Sequence, residues 1–210
     1  NDTDINGDIL TITSVTFEGV TQAISGETTV TGGTTNSQIV VNPTNGRINF
    51  VPESAWYKGL AEGTVVTKEV SYTVKDPSGV ASSSKLSLTV QGVNDAPVVS
   101  TSAVSFDGTE DGGAVTGSLT SYASDPDAGS SLAYSVAAGG DPENGSLVVN
   151  TDGGFSYEPN ADFYGADSFI FRVVDDKGVA ATKSVTINVA SVNDAPTVVD
   201  EAVSIAANKS

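Results

Sequence analysis

The chain contains no cysteine, no histidine and no methionine, and it has a single tryptophan. Without cysteine it can form neither a disulfide nor a thiolate metal site. Without histidine as well, the usual zinc and copper sites are excluded. Any metal must then sit among hard oxygen donors, which points to calcium (Ca2+). Positive charge is scarce too: 9 basic residues stand against 26 acidic ones, a net charge of −17. Nucleic acids and anionic membranes attract the opposite sign, so neither is expected as a partner. No apolar run approaches the roughly 18 residues of a membrane span, so no membrane insertion is expected. With no signal peptide visible either, we expect an internal piece of a longer chain.

What is present is β-forming. Valine, threonine and serine dominate, with 22 glycines and 8 prolines as punctuation. The hydrophobic share of 38 % falls in alternating pattern, which is enough to build cores. The acidity has two readings. It is either the self-repelling surface of a soluble secreted protein or a set of carboxylates meant to be neutralised by cations. The aspartates cluster near loops rather than along strands, which favours the second.

The pentapeptide Val-Asn-Asp-Ala-Pro occurs at 93–97 and again at 192–196, so Asn94 and Asn193 define a repeat of 99 residues. Each copy follows an alternating segment and precedes another, as a linker between β domains should. The repeat implies a first domain over 1–93, a second over 94–192, and a linker with the first strand of a third repeat over 193–210. In the first copy, strands are expected over 9–17, 27–31, 38–42 and 47–51, with Asn45-Gly46 as a type I′ hairpin turn. Val70, Tyr72 and Val74 should share a face, and Leu86, Leu88 and Val90 should point inward across the turn Asp76-Pro77-Ser78-Gly79. Phe169, Phe171, Val173 and then Val185, Ile187, Val189 repeat both patterns. Asn144-Gly145 and Asp152-Gly153 are expected to turn two further hairpins, and 98–106 to form one strand. Asp2 to Asp125 spans 123 residues rather than 99, so the first copy carries 24 extra residues, placed in 17–35 and 59–67.

Asp2, Asp4 and Asn6, followed by Gly7 and Asp8, resemble the first half of an EF-hand loop. Thr13 stands where the closing glutamate would be, and no helices flank the run, so an EF-hand is not expected. A calcium loop of Asp-x-Asp type in a β domain remains. The alternative is a tight acidic turn whose side chains cap backbone amides.

The phrases F-S-Y-E-P-N-A-D-F-Y-G-A-D-S-F (155–169), D-S-F-I-F-R-V-V followed by Asp175-x-x-Gly178, and the repeated V-N-D-A-P resemble bacterial cadherin-like, Ig-like repeats of very large surface adhesins. L-A-E-G-T-V-V-T-K-E-V-S-Y-T-V-K-D-P-S-G-V (60–80) makes the first copy similar to the related VCBS type. The resemblance implies an all-β chain of tandem Greek-key β-sandwich domains with short linkers, exported to the bacterial cell surface as part of an RTX-type or biofilm adhesin. It also implies calcium at the domain junctions. Carried over, Asn94, Asp95, Asp125, Asp127 and Asp175 would form the central site. Asp2, Asp4, Asn6 and Asp76 would form one at the N-terminal end, and Glu110, Asn193 and Asp194 a weak one at the C-terminal end. Glu53 is the candidate for the first domain's share of the central site. Four carboxylates this close should repel and titrate high without an ion; the alternative is an open acidic hinge.

No histidine or cysteine, nucleophile elbow or phosphate-binding loop is present, so no enzyme is expected. Trp56-Tyr57 and Phe163-Tyr164 read as plugs for the sandwich ends. The leading expectation is a calcium-stiffened extender whose partners are its neighbouring repeats. The alternative is a calcium-dependent glycan- or peptide-binding module using the extra loop residues. Strand-swapped self-contact through 197–210 is a third.

Overall fold

The computed structural model describes residues 2–52, 55–196 and 198. Two hydrophobic clusters with no residue in common organise it. Around the first lie β1 (Thr11–Phe17), β2 (Val20–Ala23), β3 (Thr28–Thr31), β4 (Gln38–Asn42), β5 (Arg47–Val51), the one-turn helix α1 (Ala55–Lys58), β6 (Val65–Lys75) and β7 (Ala81–Gln91). They form two facing sheets, β2-β1-β6-β7 and β3-β4-β5. Around the second lie β8 (Val98–Val99), β9 (Ser105–Thr109), β10 (Val115–Ser118), β11 (Ala123–Ser124), β12 (Ala133–Val136), β13 (Gly145–Val149), β14 (Gly154–Pro159), β15 (Gly165–Val174) and β16 (Ala180–Ala190). Their sheets are β12-β15-β16-β9 and β10-β14-β13, with β8-β11 as a small separate pair. The chain is therefore a tandem of β-sandwiches.

Alternation produces these cores directly. Phe169, Phe171 and Val173 on β15, and Val185, Ile187 and Val189 on β16, are all buried. Their neighbours on the other face are largely open to water. Each such side chain contributes about 1.5–3 kcal/mol by leaving water. The hairpins β6–β7 and β15–β16 are in the same register at an offset of 99, Val70 opposite Leu86 as Phe169 is opposite Val185.

Several expectations are corrected. Leu86 is 37 % exposed, and Leu88 and Val90 are only half-buried, unlike their buried counterparts on β16. The reason is that β9 flanks β16 by parallel pairing, whereas none of the described strands pairs with the outer edge of β7. Residues 98–106 are not one strand: β8 pairs with β11, while β9 crosses to the other sheet. The two-residue turn with both φ values positive falls at Glu18-Gly19 (φ 45° and 81°), which returns β1 into β2. Asn45-Gly46 instead ends a four-residue loop, 43–46, in which the Asn42 carboxamide accepts the N–H groups of Thr44 and Asn45. Gly145 opens β13 and turns no hairpin, whereas Gly153 (φ 90°) sits in the β13–β14 turn. Of the extra residues of the first copy, the stretch 17–35 forms β2 and β3 and buries Ile24 and Val30. Only the inner member of each aromatic pair plugs an end: Tyr57 and Phe163 pack inward, while Trp56 and Tyr164 are 49 % and 65 % exposed.

Candidate functional site

The loop that follows β15 is built around one carboxylate. Asp175 Oδ1 accepts the N–H groups of Lys177 (2.9 Å) and Val179 (2.8 Å), closing the turn that Gly178 completes at φ 89°. Its second oxygen is thereby aimed at the linker, where Oδ2 accepts the Asn94 amide at 2.9 Å. The same amide donates to the Asp95 carbonyl at 3.0 Å, leaving the Asn94 side-chain oxygen as an acceptor. The loop before β12 is tied in the same manner. Asp127 N–H donates to Asp125 Oδ1 (2.8 Å), and Asp95 N–H donates to Asp127 Oδ2 (2.8 Å).

These bonds consume one oxygen of each aspartate and leave the other. Asp125 Oδ2 and Asp127 Oδ1 are buried without any partner. An unsatisfied buried charged acceptor costs roughly 1–3 kcal/mol or more, so this arrangement is set to receive a cation or strong donors. The Asp175 carboxyl is held below the usual range, first by the Asn94 amide, against burial, and then by the N–H groups of Val179, Lys177 and Gly178. For Asp175 the shift is therefore downward, contrary to the sequence expectation, because the amide and the backbone donors outweigh burial.

The first sandwich reaches this place through the segment after α1. Gly59 carbonyl accepts Ala128 N–H at 3.1 Å, and a Cβ on Gly59 would stand 2.9 Å from the Pro126 carbonyl. A recess of about 80 Å³ at the junction is lined by Glu62 from the first sandwich and by Asn94, Asp127, Asp176 and Lys177. Glu62 was missed in the sequence, although it lies in the L-A-E-G-T phrase singled out there. Glu53, the residue chosen instead, lies outside the described residues. Asp176 accepts Ser130 Oγ (3.1 Å) and pairs with Lys177 Nζ (3.1 Å).

At the N-terminal end, carboxylate oxygens of Asp4, Asp8 and Asp76 lie within 4.8 Å of one another. Among the described residues, no other three acidic groups gather so tightly. Asp76 repeats the Asp175 turn, accepting Val80 N–H at 2.8 Å. Of the expected set, Asp4 and Asp76 meet. Asp2 instead lies beside Tyr72 and pushes its phenol up, and Asn6 only donates its N–H to Asp4 (2.7 Å). Asp8 takes the vacant role. Thr13 lies within β1, so the loop runs into a strand and not a helix. At the C-terminal end, Glu110 is 3 % exposed and accepts Val192 N–H at 2.6 Å, while Asn193 folds onto the Asp194 carbonyl (3.2 Å) as Asn94 does onto Asp95.

Two buried carboxylates serve structure instead. Glu18 takes Thr35 N–H (2.9 Å), Thr35 Oγ1 (2.8 Å) and Lys68 Nζ (3.0 Å). Asp167 takes Tyr157 Oη and Asn144 N–H, both at 2.8 Å. Burial, then the Asp167 carboxylate, pushes the Tyr157 phenol far up.

Residues 94–191 match the family model described as the bacterial cadherin-like domain. Among solved structures the chain is similar to mouse clustered PcdhgC3 EC1-3, at 22 % identity over 77 % of this chain and 53 % of that one, TM-score 0.45. It is similar to mouse Cadherin-23 EC22-24 at 16 % identity over 90 % and 55 %, TM-score 0.43. An endo-fucoidan hydrolase of glycoside hydrolase family 107 aligns at 18 % identity over 90 % and 24 %, TM-score 0.36. The chain thus spans between about a quarter and about half of these proteins. No curated protein matches it.

Proposed function

We propose that the chain is a non-catalytic spacer of an extracellular bacterial surface adhesin, stiffened by calcium at the junction between its sandwiches. The observation that carries this is the pair of buried, partnerless carboxylate oxygens on Asp125 and Asp127 beside the linker. The recess offers carboxylate and amide oxygens from Glu62, Asn94, Asp127 and Asp176, with the Lys177 ammonium drawn to Asp176, and oxygen donors suit calcium and its six to eight ligands. Asp125, Asp127, Asp95 and the Asn94 side-chain oxygen would hold the ion from the second sandwich, and Glu62 from the first. Asp175 would orient Asn94. A bound ion supplies the positive charge that these carboxylates lack and ties ligands of both sandwiches together, so relative motion is lost on binding. Asp4, Asp8 and Asp76 would form a second site by the same turn. Glu110, Asn193 and Asp194 would contribute to a third, weaker one.

The alternative of a calcium-dependent glycan- or peptide-binding module loses its main support. The extra stretch 17–35 of the first copy packs Ile24 and Val30 into that sandwich instead of standing free as a loop. Calcium titration by calorimetry tests the proposal, with Asp127→Asn and Asp125→Ala beside the parent. Each variant should weaken the junction site by about 100-fold or more. Heats of binding unchanged by both substitutions would place the ions elsewhere.

A further inference from the structure

One basic side chain lies among the acidic residues of the junction. The recess lined by Glu62, Asn94 and Asp127 is also lined by Lys177. Its Nζ pairs with Asp176 Oδ2 at 3.1 Å and its side chain is half-exposed, so a single carboxylate holds an ammonium that water can also reach. Asp176 raises the pKa of this lysine most, and the charges of Glu62 and Asp175 act on it in the same direction. Asp176 is fixed from its other side, where Oδ1 accepts Ser130 Oγ at 3.1 Å. That carboxylate therefore keeps its place whichever cation meets Oδ2.

The turn itself does not need the lysine. At the offset of 99, Asp175-Asp176-Lys177-Gly178 matches Asp76-Pro77-Ser78-Gly79. Both turns close in the same way. Asp175 N–H donates to the Val179 carbonyl at 3.0 Å and Asp76 N–H to the Val80 carbonyl at 3.1 Å, with Gly178 and Gly79 at φ 89° and 90°. Serine at the lysine's position leaves that geometry intact, so what Lys177 adds is its charge. We propose that Lys177 is a built-in counter-cation of the junction, which competes with calcium for the recess and sets how much calcium is needed to stiffen the chain. This rests on the calcium reading above and gives it a threshold. A unit positive charge beside a doubly charged ion repels it, and in a partly wetted setting the repulsion amounts to about a tenfold loss of affinity. The same ammonium offsets part of the repulsion among the acidic groups before calcium enters. Lys177 thus favours the junction without the ion and opposes the ion's entry.

Calorimetric calcium titration and melting curves of the full chain test this with Lys177→Ser and Lys177→Arg. Lys85→Ser, which removes an exposed lysine on β7, controls for net charge. The heats that Asp127→Asn removes identify the junction site. Lys177→Ser should tighten that site about tenfold at low ionic strength, and the gain should shrink as salt is added. Lys177→Arg, which keeps the charge, and Lys85→Ser should each stay within about threefold of the parent. The melting temperature of Lys177→Ser should fall below the parent's in EDTA and reach or exceed it in calcium, a reversal that a merely structural lysine would not give. Unchanged or weaker calcium binding by Lys177→Ser, while Asp127→Asn still removes the junction heats, would overturn the proposal and leave the calcium reading standing. Heats that Asp127→Asn does not alter either would overturn both.

Discussion

Glu18 and Asp167 show how far a single carboxylate can be committed to holding a sandwich together. Burial alone would push Glu18 up, but the Thr35 N–H and then the Lys68 ammonium outweigh it and keep its pKa below the usual range. Asp167 is likewise pushed up by burial and held down by the N–H groups of Asn144 and Ser168, then by Tyr157. Glu18→Ala should destabilise the first sandwich by roughly 3 kcal/mol, because Lys68 loses its carboxylate in a largely buried setting. Urea melts of the variant and the parent measure this. A lowered folded pKa means stability that is present above the unfolded value and lost as pH falls through the folded one. Stability should therefore drop between about pH 4 and the lower folded values, and Asp167→Asn should flatten that acid limb. None of this was legible in the sequence. Glu18 lies in a tight turn and Asp167 in a strand, neither marked by any motif, and their partners are up to 50 residues away, as Lys68 is from Glu18. The junction aspartates were legible, because the repeat of 99 superimposes Asp76 on Asp175, and both make the same turn.

Strands carried by alternation and bounded by turn residues were readable at their true limits, as 38–42 and 47–51 are for β4 and β5. Turn type was not, because Asn-Gly signals a tight hairpin only when the flanking residues pair immediately, and Asn42 delays that pairing by capping two amides. The inward face of β7 was misjudged for a related reason: sequence alternation says which face is apolar, not whether a neighbouring strand covers it. Contact between the sandwiches runs through the short segment after α1, where Gly59 approaches the Pro126 carbonyl too closely for a side chain. Gly59→Ala should push that segment away and weaken calcium binding about tenfold, with little loss of stability in either sandwich. Titration calorimetry and melting curves together separate those effects. Phe171→Ala, in the middle of β15 and fully buried, should cost about 3–5 kcal/mol and lower only the melting transition of the second sandwich.

At the scale of the whole molecule, two sandwiches joined by a stiff Asn-Asp-Ala-Pro linker carry a net charge of −17. Without cations that charge would favour separation of the sandwiches, against which stand the Gly59–Ala128 bond and the packing near it. On the proposed reading, carboxylates from both sides would share one calcium ion, and the junction would stiffen as the charge falls. Binding at a hundredfold excess over the dissociation constant would add about 2.7 kcal/mol to stability. Small-angle X-ray scattering of the full chain, in calcium and then in EDTA, tests this most directly. The account predicts a narrow, reproducible distance distribution with calcium, and a broadened one with a shifted maximum dimension and a lower melting temperature in EDTA. Superimposable scattering curves and equal melting temperatures in the two conditions would contradict it.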